Sequence, residues 1–316
     1  MKLLLRICLL VLPASAGFAW AQVGDIPNAP DLTNRVDPVS MGLKFDAGKT
    51  YRFISNNFIR MQLPGQGIRE ATVEQQARFD VTAREDGRAG VDLRGRIERL
   101  KVDFRSGDKR IMYDSFKPED RSSQLGQHFR NSLNRWVNLR LSEEWQIVDV
   151  SYGGREGLGT VLAGVPQFGL NELEKLIAEI PQGLPEARVR PGDFWQLNGV
   201  KEVSDLGDLE FDFSYRFLGM DEYEGASCFD IQVNGQLGGV AKIPEEGGEM
   251  AGEDMSFPGS SLSGRILFDP ANGMVRLREQ AVSMLLELPS GEEGQFYQVP
   301  VEQNARIRLL HVIATQ

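Results

Sequence analysis

The sequence is poor in the side chains that most often bind metals or act as catalytic bases. Its 316 residues include only two histidines, His128 and His311, and two cysteines. A zinc site needs several nitrogen or sulfur ligands at short spacing, and no such group occurs along the chain. Signatures of nucleophilic hydrolases and of phosphate-binding or dinucleotide-binding loops are missing as well. We therefore predict no catalytic residue, no metal site and no cofactor.

Positive charge is also scarce. The chain has 35 lysines and arginines against 45 aspartates and glutamates, which gives a formal net charge of −10. An acidic surface repels the phosphates of nucleic acids and the headgroups of anionic lipids. We therefore expect no nucleic acid and no anionic membrane surface as a partner.

Long apolar runs are missing except for one near the N-terminus. There Lys2 and Arg6 precede an apolar stretch at residues 7–12, and Ala19-Trp20-Ala21 fits the small-x-small cleavage rule. The pattern predicts a signal peptide, residues 1–21, rather than a retained anchor, because the stretch is shorter than the roughly 20 apolar residues that span a bilayer. We expect an exported protein, periplasmic or extracellular in a bacterium, with no transmembrane anchor after cleavage.

Cleavage would leave Cys228 as the single cysteine of the mature chain. One thiol cannot form an internal disulfide, so an exported domain of this kind must be held together by its own apolar core. A lone thiol is typically a small, buried hydrophobic side chain. We expect no more of Cys228 than that.

Strand patterns are abundant. The clearest lies at residues 71–82, where apolar and polar residues alternate over a dozen positions, as is typical of a half-buried antiparallel strand. In the return strand the apolar phase slips, which predicts a β-bulge near Arg99. The apolar side of the first strand consists of Ala71, Val73, Ala77, Phe79 and Val81.

Two segments change to the helical period. Between residues 119 and 137, the apolar residues from Leu125 to Trp136 recur every three to four positions, which predicts an amphipathic helix. A second helix is predicted at residues 171–180, where Asn171 is suited to cap its first turn. The apolar stripe of each helix needs a sheet to cover.

The second half of the chain repeats the plan of the first. A strand with an aromatic face, an acidic turn and a return strand parallel the unit at residues 71–97. We predict a mainly β (α+β) fold with two related, curved antiparallel β-sheet halves and two or three amphipathic helices. The predicted division is a signal peptide (1–21), an exposed N-terminal arm (22–42), a first β-rich half (43–180), a linker (181–190) and a second β-rich half (191–316).

The aromatic face of the second half is the candidate ligand-binding site. Side chains this large can simply fill a core, which is the usual place of phenylalanine. They can also line a cavity between a curved sheet and a helix, which would suit an apolar ligand. Both interpretations stay open. The candidate residues are Phe211, Phe213, Tyr215 and Phe217.

Two polar features are weaker candidates for a functional site than the aromatic face. Asp208, Glu210 and Asp212 place three carboxylates on one strand face, as a glycosidase or a calcium site requires. An acidic row opposite an aromatic row is, however, also typical of a solvated strand face. Residues 244–261 form a polar, glycine-rich loop, and a loop of this length is either functional or mobile.

Two short motifs carry a family resemblance. Gly192-Asp193-Phe194-Trp195 opens the second half, and Tyr113-Asp114-Ser115 follows a strand and a glycine-containing turn. With these motifs the chain resembles an uncharacterised family of exported bacterial proteins with two β-rich halves, over most of residues 43–313. The resemblance implies no activity. More distantly, a curved antiparallel sheet that closes on a helix is similar to the half-barrels of periplasmic lipoprotein carriers, which is a likeness of fold alone.

These observations favour a non-enzymatic envelope protein that binds or carries an apolar ligand or a protein segment. One alternative is a structural or assembly protein that acts through strand edges and the 244–261 loop. The other is a carboxylate-based hydrolase. The expected partner is an apolar small molecule or an envelope protein.

Overall fold

A computed structural model describes residues 23–24, 37–65, 67–84, 86–87, 89–130, 133, 135–153, 171–203, 207–242, 254–290 and 295–315. The predicted signal peptide lies outside these residues, as do positions 244–253 of the predicted loop. Export and the behaviour of that loop segment therefore stay predictions.

The described chain consists mainly of antiparallel strands, which confirms the predicted fold class. The strands are β1 (Val23–Gly24), β2 (Lys49–Leu63), β3 (Gly67–Ala83), β4 (Val91–Ser106), β5 (Lys109–Asp114), β6 (Val137–Leu141), β7 (Ile147–Tyr152), β8 (Phe194–Val203), β9 (Gly207–Tyr223), β10 (Ala226–Lys242), β11 (Asp254–Ser256), β12 (Ser261–Asp269), β13 (Met274–Pro289) and β14 (Phe296–Ala314). The helices are α1 (Pro118–Ser122), α2 (Gln124–Phe129) and α3 (Glu172–Glu179).

All fourteen strands belong to one sheet. In the first half β2, β3 and β4 form a meander, and the two ends of β4 pair with β6 and with β5. In the second half β8, β9 and β10 do the same, and β10 pairs with β12 and with β11. The halves are joined because β14, the last strand, pairs with β2 over thirteen residue positions.

The bulge predicted near Arg99 is confirmed. Gln76 lies opposite Arg99 while Ala77 lies opposite Ile97, so Glu98 is the extra residue in β4. The bulge turns Glu98 towards the outer face of the sheet, where its carboxylate accepts hydrogen bonds from Arg52 Nε at 2.9 Å and Arg96 at 3.2 Å. The phase slip in the sequence is therefore the trace of a real irregularity.

The helix predicted at 119–137 is instead two short helices, α1 and α2. Ser123 ends α1, and its hydroxyl accepts a hydrogen bond from Gly126 N at 3.1 Å, so it caps α2. Strand β6 already begins at Val137. Helix α3 forms where predicted, but Asn171 has helical backbone angles and makes no side-chain cap bond. Its apolar stripe is buried as expected and consists of Leu173, Leu176, Ile177 and Ile180.

The end of the predicted arm and the predicted linker both contribute buried residues. At the end of the predicted arm, 22–42, Met41 is only 2% exposed, and Val39 pairs with Val189 through two backbone hydrogen bonds of 2.9 Å. In the predicted linker, 181–190, Val189 and Gln182 are buried. The described end of the arm predicted as exposed is therefore partly buried, and it pairs with the predicted linker at one residue.

The two halves begin with the same backbone geometry. Gly48 and Gly192 both have positive φ, and their N–H groups donate to Val81 O at 2.9 Å and Phe217 O at 2.7 Å on the neighbouring strand. Three residues later a large aromatic side chain, Tyr51 or Trp195, is buried on the inner face. Glycine fits this turn because positive φ is unfavourable for residues with a Cβ atom.

The sheet curves around α3. Strands β4 and β8 are eight positions apart in the sheet, which is roughly 38 Å in a flat sheet. Leu173 Cδ1 lies within 3.5 Å of where a Cβ atom on Gly95 of β4 would sit, and Gly183 O accepts a hydrogen bond of 3.0 Å from Trp195 of β8. Residues 173–183 reach no more than roughly 21 Å. Because strand side chains stand nearly perpendicular to the sheet, only a curved sheet allows both contacts.

Candidate ligand-binding site

A row of directly opposed residues crosses nine strands on the inner face of the sheet. We call it the central row. Its members are related by strand register alone, so consecutive residues lie roughly 5 Å apart. From β8 to β4 they are Trp195, Tyr215, Val233, Gly264, Gln280, Ala305, Asn57, Val73 and Val102.

The middle of the central row is more open than its surroundings. Its end residues are buried, whereas the five from β12 to β3 are half-buried. The parallel row on one side is closed, with exposures of 3–7% for Leu262, Val282, Gln303, Ile59 and Ala71. The five half-buried residues form a more open strip, roughly 19 Å long, across the inner face. We call it the inner trough; its floor is Gly264, Gln280, Ala305, Asn57 and Val73.

Apart from Arg278, which is two residues from Gln280 on β13, the polar side chains in and beside the inner trough are uncharged. Ser55 and Gln75 lie opposite each other in the row next to Asn57, and Gln303 lies on the other side. Gln303 Nε2 donates to Asn57 Oδ1 at 3.4 Å. Gln75 Oε1 is buried and makes no hydrogen bond. These amides and hydroxyls can orient a ligand without attracting an ion.

The C-terminal end of α3 is fixed to the sheet by a buried arginine. Arg278, on β13, is 3% exposed. Its guanidinium donates to Glu179 O at 3.1 Å, to Gln182 O at 2.5 Å and to Gln182 Oε1 at 3.2 Å. A cation at this position also interacts favourably with the negative end of the helix dipole. Arg278 thereby holds the edge of the inner trough in place.

The predicted aromatic residues lie at the closed end of the same face. Phe213, Tyr215 and Phe217 are buried in the main core, and Phe211 is half-buried. The Tyr215 ring stacks on Trp195 with centroids 5.7 Å apart and an interplanar angle of 7°. Burial raises the pKa of Tyr215 more than the neighbouring Arg278 lowers it. Of the four, only Tyr215 belongs to the central row, and their burial fits the core-filling interpretation.

The floor of the inner trough was not among the residues expected from the sequence. Asn57 and Gln280 are polar residues at inward positions of long strands, and that mismatch was the available signal. This signal could not locate the site without the strand register, because the central row combines strands from both ends of the chain. Of the floor residues, only Val73 lay in the alternating pattern identified at residues 71–82.

The acidic residues of β9 face away from the core. Glu210 and Asp212 are both exposed, and both alternate with the aromatic residues. Among the described residues no group of three or more histidine, cysteine or acidic side chains could hold a metal ion. The described part of the chain also contains no helix that is both long enough and apolar enough to cross a membrane.

Comparison with known proteins gives no family. No family model matches the chain, and no curated protein matches it.

Among solved structures the chain is similar to lipovitellin, determined for its lipid–protein interactions. The TM-score is 0.43, with 11% identity over 86% of this chain and 26% of that one. It is also similar to DynF from the dynemicin biosynthesis pathway of Micromonospora chersina, with a TM-score of 0.24 and 9% identity over 89% and 92% of the two chains. An outer membrane channel of Pseudomonas putida F1 has a TM-score of 0.17 and 9% identity over 87% of this chain and 100% of the channel. The chain spans about a quarter of the lipovitellin chain, and at these TM-scores the likenesses support no inference about function.

Proposed function

We propose that the protein is an exported, non-enzymatic binding or carrier protein that holds a largely apolar ligand in the inner trough. The observation that carries this function is the opening in the central row. Five half-buried residues from β12 to β3, with the half-buried Ser55 beside them, interrupt a face whose neighbouring rows are mostly buried. A concave, mainly apolar surface with a few uncharged polar groups is typical of small-molecule sites.

The rest of the structure suits a site that exists before the ligand binds. The inner trough lies on long paired strands, and α3 is held beside it by Arg278 and by the bond from Trp195 Nε1 to Gly183 O. Rigid walls lower the entropic cost of binding. The aromatic residues at the closed end extend the apolar surface towards β8 and β9.

The first test is native mass spectrometry, with solvent extraction, of residues 22–316 purified from a bacterial envelope. A co-purifying apolar molecule supports the carrier function and identifies its chemistry. Ligand binding is then measured with N-phenyl-1-naphthylamine, a neutral probe whose fluorescence rises in apolar surroundings. Saturable binding of one probe per chain is the expected result.

Two variants of one strand locate the binding surface. Ala305→Phe places a ring in the inner trough and should reduce probe affinity at least tenfold by occupying the site. Asn304→Phe places the same ring on the exposed outer face of β14 and should leave affinity unchanged. Equal affinity of the two variants, with both folded, would exclude the inner trough as the site.

Export is the second part of this proposal. The signal sequence at residues 1–21 supports it. Expression of the full chain in a bacterium, followed by fractionation and N-terminal sequencing, should give a mature protein that begins at Gln22 in the periplasm or medium. Retention in the cytoplasm with residue 1 intact would contradict it.

We also propose that the two halves are an internal repeat. The backbone geometry that Gly48 and Gly192 share supports this proposal.

A second candidate function is docking of an envelope protein at the β7 edge. Among the described strands β7 pairs with β6 alone, and Val148 on it is 56% exposed. An exposed strand edge with apolar side chains can accept a strand from a partner. If this is the function, Val148→Lys should abolish an in-envelope cross-link and leave probe binding unchanged. An unaltered cross-linking pattern would exclude it.

A further inference from the structure

We propose that the ligand of the inner trough is an apolar molecule with a single hydroxyl group, and that the side-chain amide of Gln75 binds that hydroxyl. This rests on the proposed carrier function and adds the chemical class of the ligand. The relevant geometry is the position of Gln75 on the inner face of β3, opposite Ser55 and two residues from Val73 in the floor of the inner trough.

Gln75 is a polar side chain in an apolar setting. It is 7% exposed, and its neighbours on the same face of β3 and β4 include the buried Ala77 and Leu100. Its Oε1 atom is buried without a hydrogen-bond partner. A buried amide oxygen without a partner is destabilising, and such groups are rare in folded proteins. A ligand that supplies the missing donor would remove this cost.

The amide can reach the inner trough without a change in the backbone. The terminal torsion of a glutamine is broad, so the amide plane turns easily about its last bond. Ser55, opposite Gln75, and Val73, beside it, are both half-buried, so the open surface begins next to the amide. A ligand lying along the floor therefore passes within reach of Gln75.

The surrounding groups select a neutral ligand with a hydroxyl. Ser55, Asn57, Gln280 and Gln303 add polarity but no charge, and the buried Arg278 uses its N–H groups on the carbonyls at the end of α3. A hydroxyl both donates and accepts, so it can pair with the oxygen or the nitrogen of an amide. A carboxylate cannot donate to Oε1, and a hydrocarbon leaves it without a partner.

The test compares three probes of equal chain length: 1-dodecanol, dodecane and dodecanoate. Each displaces N-phenyl-1-naphthylamine from the protein, residues 22–316. With the wild-type chain we expect 1-dodecanol to displace the dye at a roughly tenfold lower concentration than dodecane, the size of one net hydrogen bond to a buried group. Gln75→Met keeps the length of the side chain and removes its polar atoms, and should reduce this preference to about one.

Gln76→Met is the matched control, because Gln76 is the next residue on β3 and faces the other side of the sheet. It should keep the tenfold preference. A second readout is thermal stability without ligand: Gln75→Met should unfold at a higher temperature than the wild type, since it removes a buried group that has no partner. If Gln75→Met does not fold, Gln75→Leu replaces it, with the same expected loss of preference.

The outcomes distinguish a failure of this inference from a failure of the proposed carrier function. Dye binding with no preference for the alcohol, or with dodecanoate as the strongest competitor, overturns the hydroxyl ligand and leaves the carrier function standing. A preference that survives in Gln75→Met overturns the role of Gln75. Absence of any dye binding or displacement overturns both.

Discussion

Arg278 Nη1 donates a hydrogen bond of 2.5 Å to the carbonyl oxygen of Gln182, across 96 residues of chain. The bond connects strand β13 of the second half to the turn that follows α3 of the first. Because Arg278 is buried, its loss would remove a donor from Glu179 O and from both oxygens of Gln182. This contact is one of the direct links between the long sheet and the segment around which it curves.

The first prediction concerns this link. Arg278→Leu should lower the free energy of unfolding by about 3 kcal/mol, since at least two buried acceptors lose their partner. Arg306→Leu is the control: Arg306 forms an exposed ion pair with Glu279, and such a pair contributes about 0–1 kcal/mol. Urea unfolding of the two variants measures the difference. Equal losses would mean that Arg278 does not anchor α3.

The second prediction compares two glycines with positive φ. A Cβ atom at Gly183 would lie 2.2 Å from Tyr215 Cε1, whereas one at Gly192 would meet nothing within 4 Å. Gly192→Ala should cost about 1 kcal/mol from its backbone angle alone. Gly183→Ala must also move a buried ring that stacks on Trp195, and we expect a loss of about 3 kcal/mol or more. Thermal unfolding of both variants is the measurement, and a smaller loss for Gly183→Ala would contradict the contact.

The third prediction follows from the buried carboxyl of Asp269. Burial raises its pKa, but hydrogen bonds from Asn272 and Arg276 outweigh this and hold the pKa below its ordinary value. A lowered pKa in the folded state stabilises the protein above the ordinary carboxyl pKa of about 3.9, and that stabilisation is lost as the pH falls through the folded value.

Asp269→Asn should therefore unfold more easily than the wild type near neutral pH, by about 2 kcal/mol. The difference in unfolding free energy between the two should stay constant down to about pH 4 and narrow at lower pH, because only the wild type loses this contribution on protonation. Urea unfolding at a series of pH values tests it. Parallel profiles would show that Asp269 does not titrate in this way.

The fourth prediction concerns the thiol. Cys228 is buried against Leu267 and Leu277, and burial raises its pKa. The thiolate is the reactive form, so residues 22–316 should react with a disulfide reagent far more slowly when folded than in denaturant. The rate of absorbance change in the two states gives the ratio. Rapid labelling of the folded protein would contradict the packing around Cys228.

Local features of the sheet were predictable where a single strand carries the signal. The alternation at residues 71–82 gave the correct inner face of β3, and the phase slip gave the bulge beside Arg99. A similar irregularity between Leu309 and His311 was missed. His311 continues the apolar alternation of β14 in the sequence, but it is exposed and lies 3.0 Å from Arg52. The sequence of one strand does not show where its pairing register with the neighbouring strand shifts.

The candidate site was less predictable, because it depends on pairing between distant strands. Ala305 and Asn57 become neighbours only through the register of β14 on β2. The aromatic row at Phe211–Phe217 was visible because its residues are large and close in sequence, and three of the four fill the core. The helix at 119–137 was divided at Ser123, since a capping hydroxyl competes locally with a continuous helix.

The pairing of β14 with β2 also determines when, during folding, the inner trough forms. Its contacts join residues about 250 positions apart, and such contacts form late because a long loop must close first. Ala305 and Asn57 are on these two strands, so the floor of the inner trough is completed only after the last strand has left the ribosome or the export channel. Until then β2 has one edge unpaired. A chain that lacks β14 would leave β2 and β13 unpaired along this edge and the inner trough incomplete.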